Sequence, residues 1–430
     1  MLAAVAAAAA LAAGPAGAVT AAPGMAAARA TTARTTMVAR PAAGHPLRSW
    51  AASLLPGRPG AASAVKGSLT LSPQAHASGI GFSGATLYGV SCTGRKECTA
   101  TGMASTRNGQ NLKPLADRWN GTTWARQTTP TTNSGGLLGG TLSGGVSCTS
   151  STACIAAGYS YGSKGVQPLG EGWNGRTWSV QPGSTPIVNG SLFHISCTWA
   201  KDCVAVGSRA PGATLAEHWN GLRWSAETTK HTGELDGVSC PATGNCTAVG
   251  YNNASRALAA HWNGKAWSDE SPADPQPLSL LESVSCPATT ACIAVGAAGT
   301  DNSALALAPL AEQWTGSNWT PLTFPSTPAT DLVELYSVSC TSATNCIAVG
   351  DDQNSTGTAD TTLAAQWNGT TWTLVSPPSP ATFSALFSVS CTSATFCSAV
   401  GASSPSATGA VSPVAETWNG ATWSLQTAAG

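Results

Sequence analysis

Ser337-Val338-Ser339-Cys340-Thr341-Ser342-Ala343-Thr344-Asn345-Cys346-Ile347-Ala348-Val349-Gly350, followed after a variable loop by Trp367-Asn368-Gly369-Thr370-Thr371-Trp372, is one of seven copies of the same pattern. The cysteine pairs are Cys92/Cys98, Cys148/Cys154, Cys197/Cys203, Cys240/Cys246, Cys286/Cys292, Cys340/Cys346 and Cys391/Cys397, which use all 14 cysteines of the chain. The tryptophan pairs are Trp119/Trp124, Trp173/Trp178, Trp219/Trp224, Trp262/Trp267, Trp314/Trp319, Trp367/Trp372 and Trp418/Trp423, which use all but two of its 16 tryptophans. Successive first cysteines are 56, 49, 43, 46, 54 and 51 residues apart. A period of about fifty residues suits one four-stranded propeller blade.

Each copy parses into four short strands. The first ends at Val-Ser-Cys and the second is Cys-Ile-Ala-Val-Gly, joined by a tight turn such as Thr341–Asn345. The third is Leu-Ala-Glu-x-Trp, as in Leu215–Trp219, and the fourth starts at the second Trp of the pair. An Asn-Gly turn joins them, because both residues tolerate the left-handed backbone that such a turn needs. The expected fold is all-β: a seven-bladed β-propeller with four antiparallel strands per blade, following a disordered Ala-rich N-terminal segment. Blades are expected to start near residues 86, 141, 191, 234, 280, 334 and 385, within a domain spanning 76–430. In-phase blades, one repeat each, are the favoured closure; the alternative pairs Gly67–Pro73 with the last blade.

Two Cys separated by five residues, at facing ends of a hairpin, are within disulfide reach. Each such loop is worth about 2 kcal/mol in the chain-entropy model. Zinc sites favour closer cysteine spacing with two more ligands nearby, and the whole chain has six histidines. Seven local disulfides are therefore expected if the chain is exported, with no metal and no cofactor. Residues 1–30 read as a signal-peptide-like segment, with an apolar Leu2–Ala13 and an A-x-A-like site at Ala16-Gly17-Ala18. A weak transmembrane anchor is the other reading, against which Ala is barely apolar enough and Gly14-Pro15 interrupts the run. Residues 31–75 read as a low-complexity disordered linker.

Charged residues make up 9% of the chain, against roughly 25% in an average globular protein. Residues 1–75 hold six basic residues and no acid, whereas 76–430 hold twenty acids and fourteen bases. An acidic ring lacks the cationic face that phosphate neutralisation requires, which excludes nucleic acid as a partner.

The second-strand glycine, the apolar third strand and the turn closing on Trp resemble the kelch repeat of galactose-oxidase-type propellers. The usual Gly-Gly doublet is a single Gly here, as in Gly207-Ser208 and Gly350-Asp351. The Gly-x-x-Trp tail resembles the Asp-box turn of sialidase-like propellers, with Trp where that motif has Asp. The Ala- and Thr-rich, lysine-poor composition is similar to that of actinobacterial exported repeat proteins. These resemblances cover residues from Leu87 onward and imply architecture rather than activity.

Positions that vary inside a fixed frame are where blades can differ in function. Two residues before Val-Ser-Cys stand Tyr88, Gly144, Phe193, Asp236, Glu282, Tyr336 and Phe387, with His194 beside Phe193. First strands commonly line a propeller's channel, so Tyr88, Phe193, His194, Asp236, Glu282, Tyr336 and Phe387 form the candidate ligand-binding slot: rings for stacking, acids for hydroxyls. The alternative is that the slot faces a neighbouring blade and its rings are core. Two residues before the first Trp stand Asp117, Glu171, Glu217, Ala260, Glu312, Ala365 and Glu416. These read as structural acceptors of backbone or Ser hydrogen bonds. The loops Thr106–Lys113, Tyr159–Val166, Asp301–Leu307 and Asp351–Thr361 are expected to gather on one face. Asp351-Asp352-Gln353-Asn354 is expected to be a solvated turn, since it lacks the rhythm of a calcium loop.

No nucleophile elbow, zincin motif, phosphate loop or dinucleotide fingerprint is present. The expected function is a secreted or cell-wall-associated, monomeric, non-catalytic binding scaffold for an extracellular glycan or protein, without a stable membrane span. The alternative is a polysaccharide-acting enzyme with Asp236 and Glu282 as an acid/base pair at the channel.

Overall fold

The computed structural model describes residues 84–105, 112–130, 139–162, 165–183, 187–273, 275–300, 307–327 and 331–428. The export-signal segment, the linker and the Gly67–Pro73 strand lie outside them. The described residues contain no helix, so none that is long and apolar enough to cross a membrane. They form 29 strands. That is one more than seven blades of four require, because the first strand of blade two is broken into Gly140–Thr141 and Val146–Ser150.

Every blade is one repeat. Blade six runs Leu332–Ser342, Asn345–Gln353, Asp360–Trp367 and Trp372–Leu374, each strand antiparallel to the one before. The first strand of each blade touches the first strand of the next, and the first strand of blade one (Gly84–Gly94) touches that of blade seven (Phe383–Ser393). The fold is a closed seven-bladed propeller of in-phase blades.

All 14 cysteines pair as the spacing predicts, each pair within its own hairpin. The disulfides are Cys92–Cys98, Cys148–Cys154, Cys197–Cys203, Cys240–Cys246, Cys286–Cys292, Cys340–Cys346 and Cys391–Cys397, with Cα atoms 3.9–4.1 Å apart. The second cysteine of each pair is also the cross-strand partner of the first Trp. Cys98 faces Trp119, Cys154 faces Trp173, Cys203 faces Trp219, Cys246 faces Trp262, Cys292 faces Trp314, Cys346 faces Trp367, and Cys397 faces Trp418.

The two Trp of each repeat are in turn direct cross-strand partners, such as Trp219 and Trp224. In every blade their ring centroids lie 5.6–5.8 Å apart and tilted. Between them sits the turn. Asn368 Oδ1 accepts the Thr370 and Thr371 N–H groups, and Gly369 takes a φ of +97°. The same bonds recur in the other five Asn-Gly turns.

Seven apolar clusters fill the seven blade junctions. In one, Ile293, Val295 and Ala311 of blade five pack on Val333, Leu335, Trp367 and Trp372 of blade six. In the one that closes the ring, Phe396, Val400 and Ala415 of blade seven pack on Leu87, Trp119 and Trp124 of blade one. Each blade presents its Trp pair to the blade before it, so the rings fill the wedge where the sheets diverge.

A girdle of hydrogen bonds lies inside this wedge packing. The Ser of each Val-Ser-Cys accepts the backbone N–H of the Cys in the following blade. Ser91 serves Cys148, Ser147 serves Cys197, Ser196 serves Cys240, Ser239 serves Cys286, Ser285 serves Cys340, Ser339 serves Cys391, and Ser390 serves Cys92, all at 2.9–3.0 Å. Beyond single parallel bridges at the start of three blades (Gly84 with Val411, Leu332 with Leu307, Phe383 with Asp360), the first strand pairs on one side only, so alternate N–H groups face away from its sheet. A bare row of that kind is a sheet edge, and the serines cap it all the way round. Removing one acceptor leaves a shielded N–H without a partner, which costs about 1–3 kcal/mol. Ser339→Ala is expected to lower unfolding stability by about that amount in urea titrations. Ser376→Ala, at an exposed position after the fourth strand of the same blade, is the control and is expected to stay within roughly 0.5 kcal/mol of wild type; equal effects of the two would show that the girdle is not holding the ring.

Candidate functional site

The first strands converge on a central channel with a cavity of about 290 Å³. Its wall contains Tyr88, Phe193, His194, Asp236, Glu282, Tyr336 and Phe387 together. The variable slot thus borders the channel, and three of its rings, Tyr88, Tyr336 and Phe387, also pack in an apolar cluster with Phe383, Ala385, Ala402 and Val411. No cysteine lines that cavity. Cys98, Cys154, Cys203, Cys246, Cys292, Cys346 and Cys397 are all buried in the blade-junction clusters. The disulfides are therefore part of the frame and not of the binding site.

A β-bulge puts the slot in the channel. In six blades the pairing of first and second strands skips one residue, and the skipped residue is the slot: Tyr88, Phe193, Asp236, Glu282, Tyr336 and Phe387. A bulge leaves one residue out of the ladder and re-aims its side chain. It also drives the strand-one backbone against strand two. A Cβ on Gly350 would lie 1.8 Å from the Glu334 carbonyl oxygen, and one on Gly207 would lie 2.0 Å from that of Ser191. The glycine that ends Cys-x-Ala-x-Gly is therefore the counterpart of the bulge. In blade two the strand breaks instead, and Gly144 holds the slot with its N–H donated to the Ala157 carbonyl.

Around the ring, blades six, seven and one bring Tyr336, Phe387 and Tyr88. Phe387 lies 5.6 Å from Tyr336 and 5.5 Å from Tyr88 between ring centroids, stacked on the latter. Blades four and five bring Asp236 and Glu282; seven-fold order sets Asp236 across the channel from Phe387 and Tyr88, and Glu282 next to Tyr336 of blade six. Burial raises the Tyr88 phenol well above its ordinary pKa, so it stays a protonated donor. The three rings are only 5–7% exposed. They form a packed wall rather than an open platform, which corrects the expectation of ring faces free for sugar stacking.

His194 has a different role from the one its neighbours suggest. Its Nδ1 accepts the Val238 N–H of the next blade at 3.4 Å. Ser283, Ser337 and Ser388 accept the corresponding N–H groups of Val338, Val389 and Val90. His194 thus belongs to a second, incomplete tier of the girdle while still lining the cavity. Burial pushes its pKa down to about 4, so the ring is neutral with its proton on Nε2.

The third-strand carboxylates are buried, as a structural role requires, but their partners vary. Glu312 Oε2 accepts the Ala273 N–H at 2.8 Å, as expected of a backbone acceptor. Asp117 pairs with the Arg126 guanidinium of its own blade. Glu171 and Glu416 depart from the expectation: neither oxygen of either has a protein hydrogen-bond partner, and burial raises both to about 8. Ala260 and Ala365 hold the same position inside apolar junction clusters, so the site favours an uncharged group. The expected solvated turn at Asp351–Asn354 is also corrected. Residues 351–353 continue the second strand, and Asp351 is fully buried. Thr106–Asn111 and 301–306 lie outside the described residues. Among the described residues no group of three or more His, Cys, Asp or Glu could hold a metal ion.

No protein-family model and no curated protein matches the chain. Among solved structures, the chain is similar to a GH74 xyloglucanase from Xanthomonas campestris at 12% identity and a TM-score of 0.53, covering 81% of this chain and 55% of that one. A PL25 ulvan lyase matches at 8% identity and a TM-score of 0.50, covering 81% and 97%. The β-propeller domain of the trilobed protease from Pyrococcus furiosus matches at 7% identity and a TM-score of 0.47, covering 80% and 98%. At these identities the likeness is one of fold.

Two titrations follow from the buried groups. The His194 pKa is lower in the fold than its ordinary 6.5, so the unfolded chain takes up the proton first and stability falls as pH drops from 6.5 to 4. His194→Ser, the residue three other blades use, is expected to show a smaller loss of melting temperature over that window. Glu416 is shifted the other way, from 4.5 to about 8, so the stability it contributes in acid is lost as pH rises through that range. Glu416→Gln is expected to match wild type near pH 4.5 and to melt higher near pH 8; a constant difference across the range would contradict the assignment.

Proposed function

We propose that the protein is a secreted, monomeric, non-catalytic binding module whose ligand, an extracellular glycan or protein, engages the channel. One observation carries this reading: six bulges, each opposed by its own glycine, aim the most variable side chains of the repeat into a single cavity. The frame around them is repeated almost unchanged, so blade-to-blade difference is concentrated where a ligand would touch. Residues 1–30 as an export signal and 31–75 as a spacer fit this reading, since seven disulfides suit an oxidising compartment. The resemblance to kelch repeats contributes architecture to it and no activity.

The size of the cavity favours binding over polymer cleavage. At about 290 Å³ it sits at the small end of ligand pockets, which run from roughly 300 to 1,000 Å³. It admits a single side chain or one sugar at a chain end, whereas a glycosidase acting within a polysaccharide holds residues on both sides of the scissile bond. Asp236 and Glu282 are also only 5% and 7% exposed, deep for groups that must reach a bond and a water.

Binding to glycan and peptide arrays, compared between wild type, Phe193→Ala and the Asp236→Asn/Glu282→Gln pair, tests the reading. Ligands are expected to bind wild type and to weaken by about tenfold or more in a channel variant. Leu222→Ala, at a rim position 79% exposed, is expected to leave them unchanged. Binding indifferent to every channel substitution would remove the channel from the function. Polysaccharide turnover abolished by Asp236→Asn would establish the enzyme instead.

A further inference from the structure

Resting on the channel reading above, we infer that the channel takes a cation: the ammonium or guanidinium group of a basic side chain presented by a protein partner. The first strands form the channel wall, and their charges have one sign. Across all seven they carry Glu234, Asp236, Glu282 and Glu334, and no Lys or Arg. The four carboxylates lie on three consecutive blades, and all are at most 7% exposed. Two of them, Asp236 and Glu282, line the cavity itself, where the histidine is neutral.

The aromatic rings continue round the wall from the acids: Tyr336 stands on the blade next to that of Glu282, followed by Phe387 and Tyr88. The carboxylate pair supplies direct charge pairing, the chemistry that holds organic cations most strongly. Three of the four slot rings argue against a pyranose as the occupant, Phe193 alone being half-buried rather than buried. A sugar lying flat needs an exposed ring face, and these rings are packed on one another with 5–7% of their surface left. A narrow ammonium or guanidinium on a flexible stem needs no such face. Its apolar stem suits the Val90, Val238 and Val338 side of the wall. Serine hydroxyls of the girdle, whose oxygens retain a lone pair after accepting one N–H, add neutral acceptors deeper in the cavity.

The test uses the full chain and a blocked glycine–serine peptide with one central lysine, followed by the shift of the Val238 amide, which is hydrogen-bonded to His194 in the wall. The same peptide with the lysine acetylated is the charge-free control. The lysine peptide is expected to shift Val238 and to bind about tenfold or more tightly than its acetylated form. Asp236→Asn with Glu282→Gln is expected to abolish that difference. Asp269→Asn, 77% exposed on the exterior, is expected to preserve it. Equal binding of the two peptides by wild type overturns the inference without recourse to any variant. So does a loss in Asp269→Asn as large as in the channel pair, which would mean diffuse surface charge. If a neutral oligosaccharide shifts Val238 and Phe193→Ala weakens it while the charge variants do not, the channel remains the binding site and the cation is wrong. If no probe shifts Val238, both are wrong.

Discussion

The ring depends on the hydrogen bond from each Cys N–H to the serine of the blade before it. Among the described residues no strand is shared between repeats, and at the closure the backbone contributes a single parallel bridge, Gly84 with Val411, where the Ala85 N–H donates to the Val411 carbonyl at 3.4 Å. What else ties blade seven to blade one is Ser390 accepting from Cys92 across 298 residues, backed by the Trp119 and Trp124 wedge. The geometry also explains why the residue is serine. The first strand offers its inner N–H groups to a channel barely wider than a side chain, and a short hydroxyl beside the cysteine reaches the next strand without filling that space. A longer acceptor would intrude, and an apolar residue would strand the donor. The disulfide one residue on holds the hairpin that carries each serine. Its far sulfur, on Cys98 and its six counterparts, sits in the wedge packing, so one staple links girdle to core.

The bulge is the second constraint, and it separates structure from function inside one strand. Residues on either side of it stay in the ladder and cannot vary freely. The skipped residue stands outside the ladder, so its identity is limited by the channel and by the rings it packs against rather than by strand pairing. That accounts for aromatic, acidic and glycine side chains at one position between a leucine that packs and a Val-Ser-Cys that bonds. The tier beside it is intermediate. Gly89 and Gly237 let adjacent strands approach so closely that a Cβ would lie 2.4 and 2.8 Å from backbone atoms of the next blade, whereas serine or His194 fills a wider gap with an acceptor.

Much of this is legible in the sequence because it is local. The Cys-x₅-Cys hairpin, the Asn-Gly turn and the Trp pair each close within seven residues, and their chemistry names the contact. The girdle joins residues about 44 to 57 positions apart, or 298 at the closure, so a serine next to a cysteine reads as part of the motif without revealing its partner. Its presence in all seven copies is the available signal. The bulge is hidden for another reason: strict period two assigns Tyr88 and Val90 to one face, and a single skipped residue breaks that rule. The second-strand glycine marks the break, since a strand interior has no need of glycine unless another backbone approaches it. His194 is easily misread because the aromatic and acidic positions beside it point to ligands, while the serines standing at its place in blades five, six and seven show its role.

The third-strand carboxyls show how far a repeat tolerates a poor fit. Ala260 and Ala365 prove that the pocket between blades accepts a methyl group, yet five blades place an acid there. Where an amide or guanidinium is at hand, as for Glu312 and Asp117, the acid is a usable acceptor. Where none is, as for Glu171 and Glu416, the carboxyl is held neutral by burial, since a lone charge there would be far more costly than a proton. The channel sets the same residue type in a different place. Asp236 and Glu282 border the channel cavity instead of a blade junction. Burial between blades silences a carboxyl, and a bulge in the first strand is what sets the same residue type beside open volume; which setting an acid meets is decided by whether its position faces a blade junction or the channel.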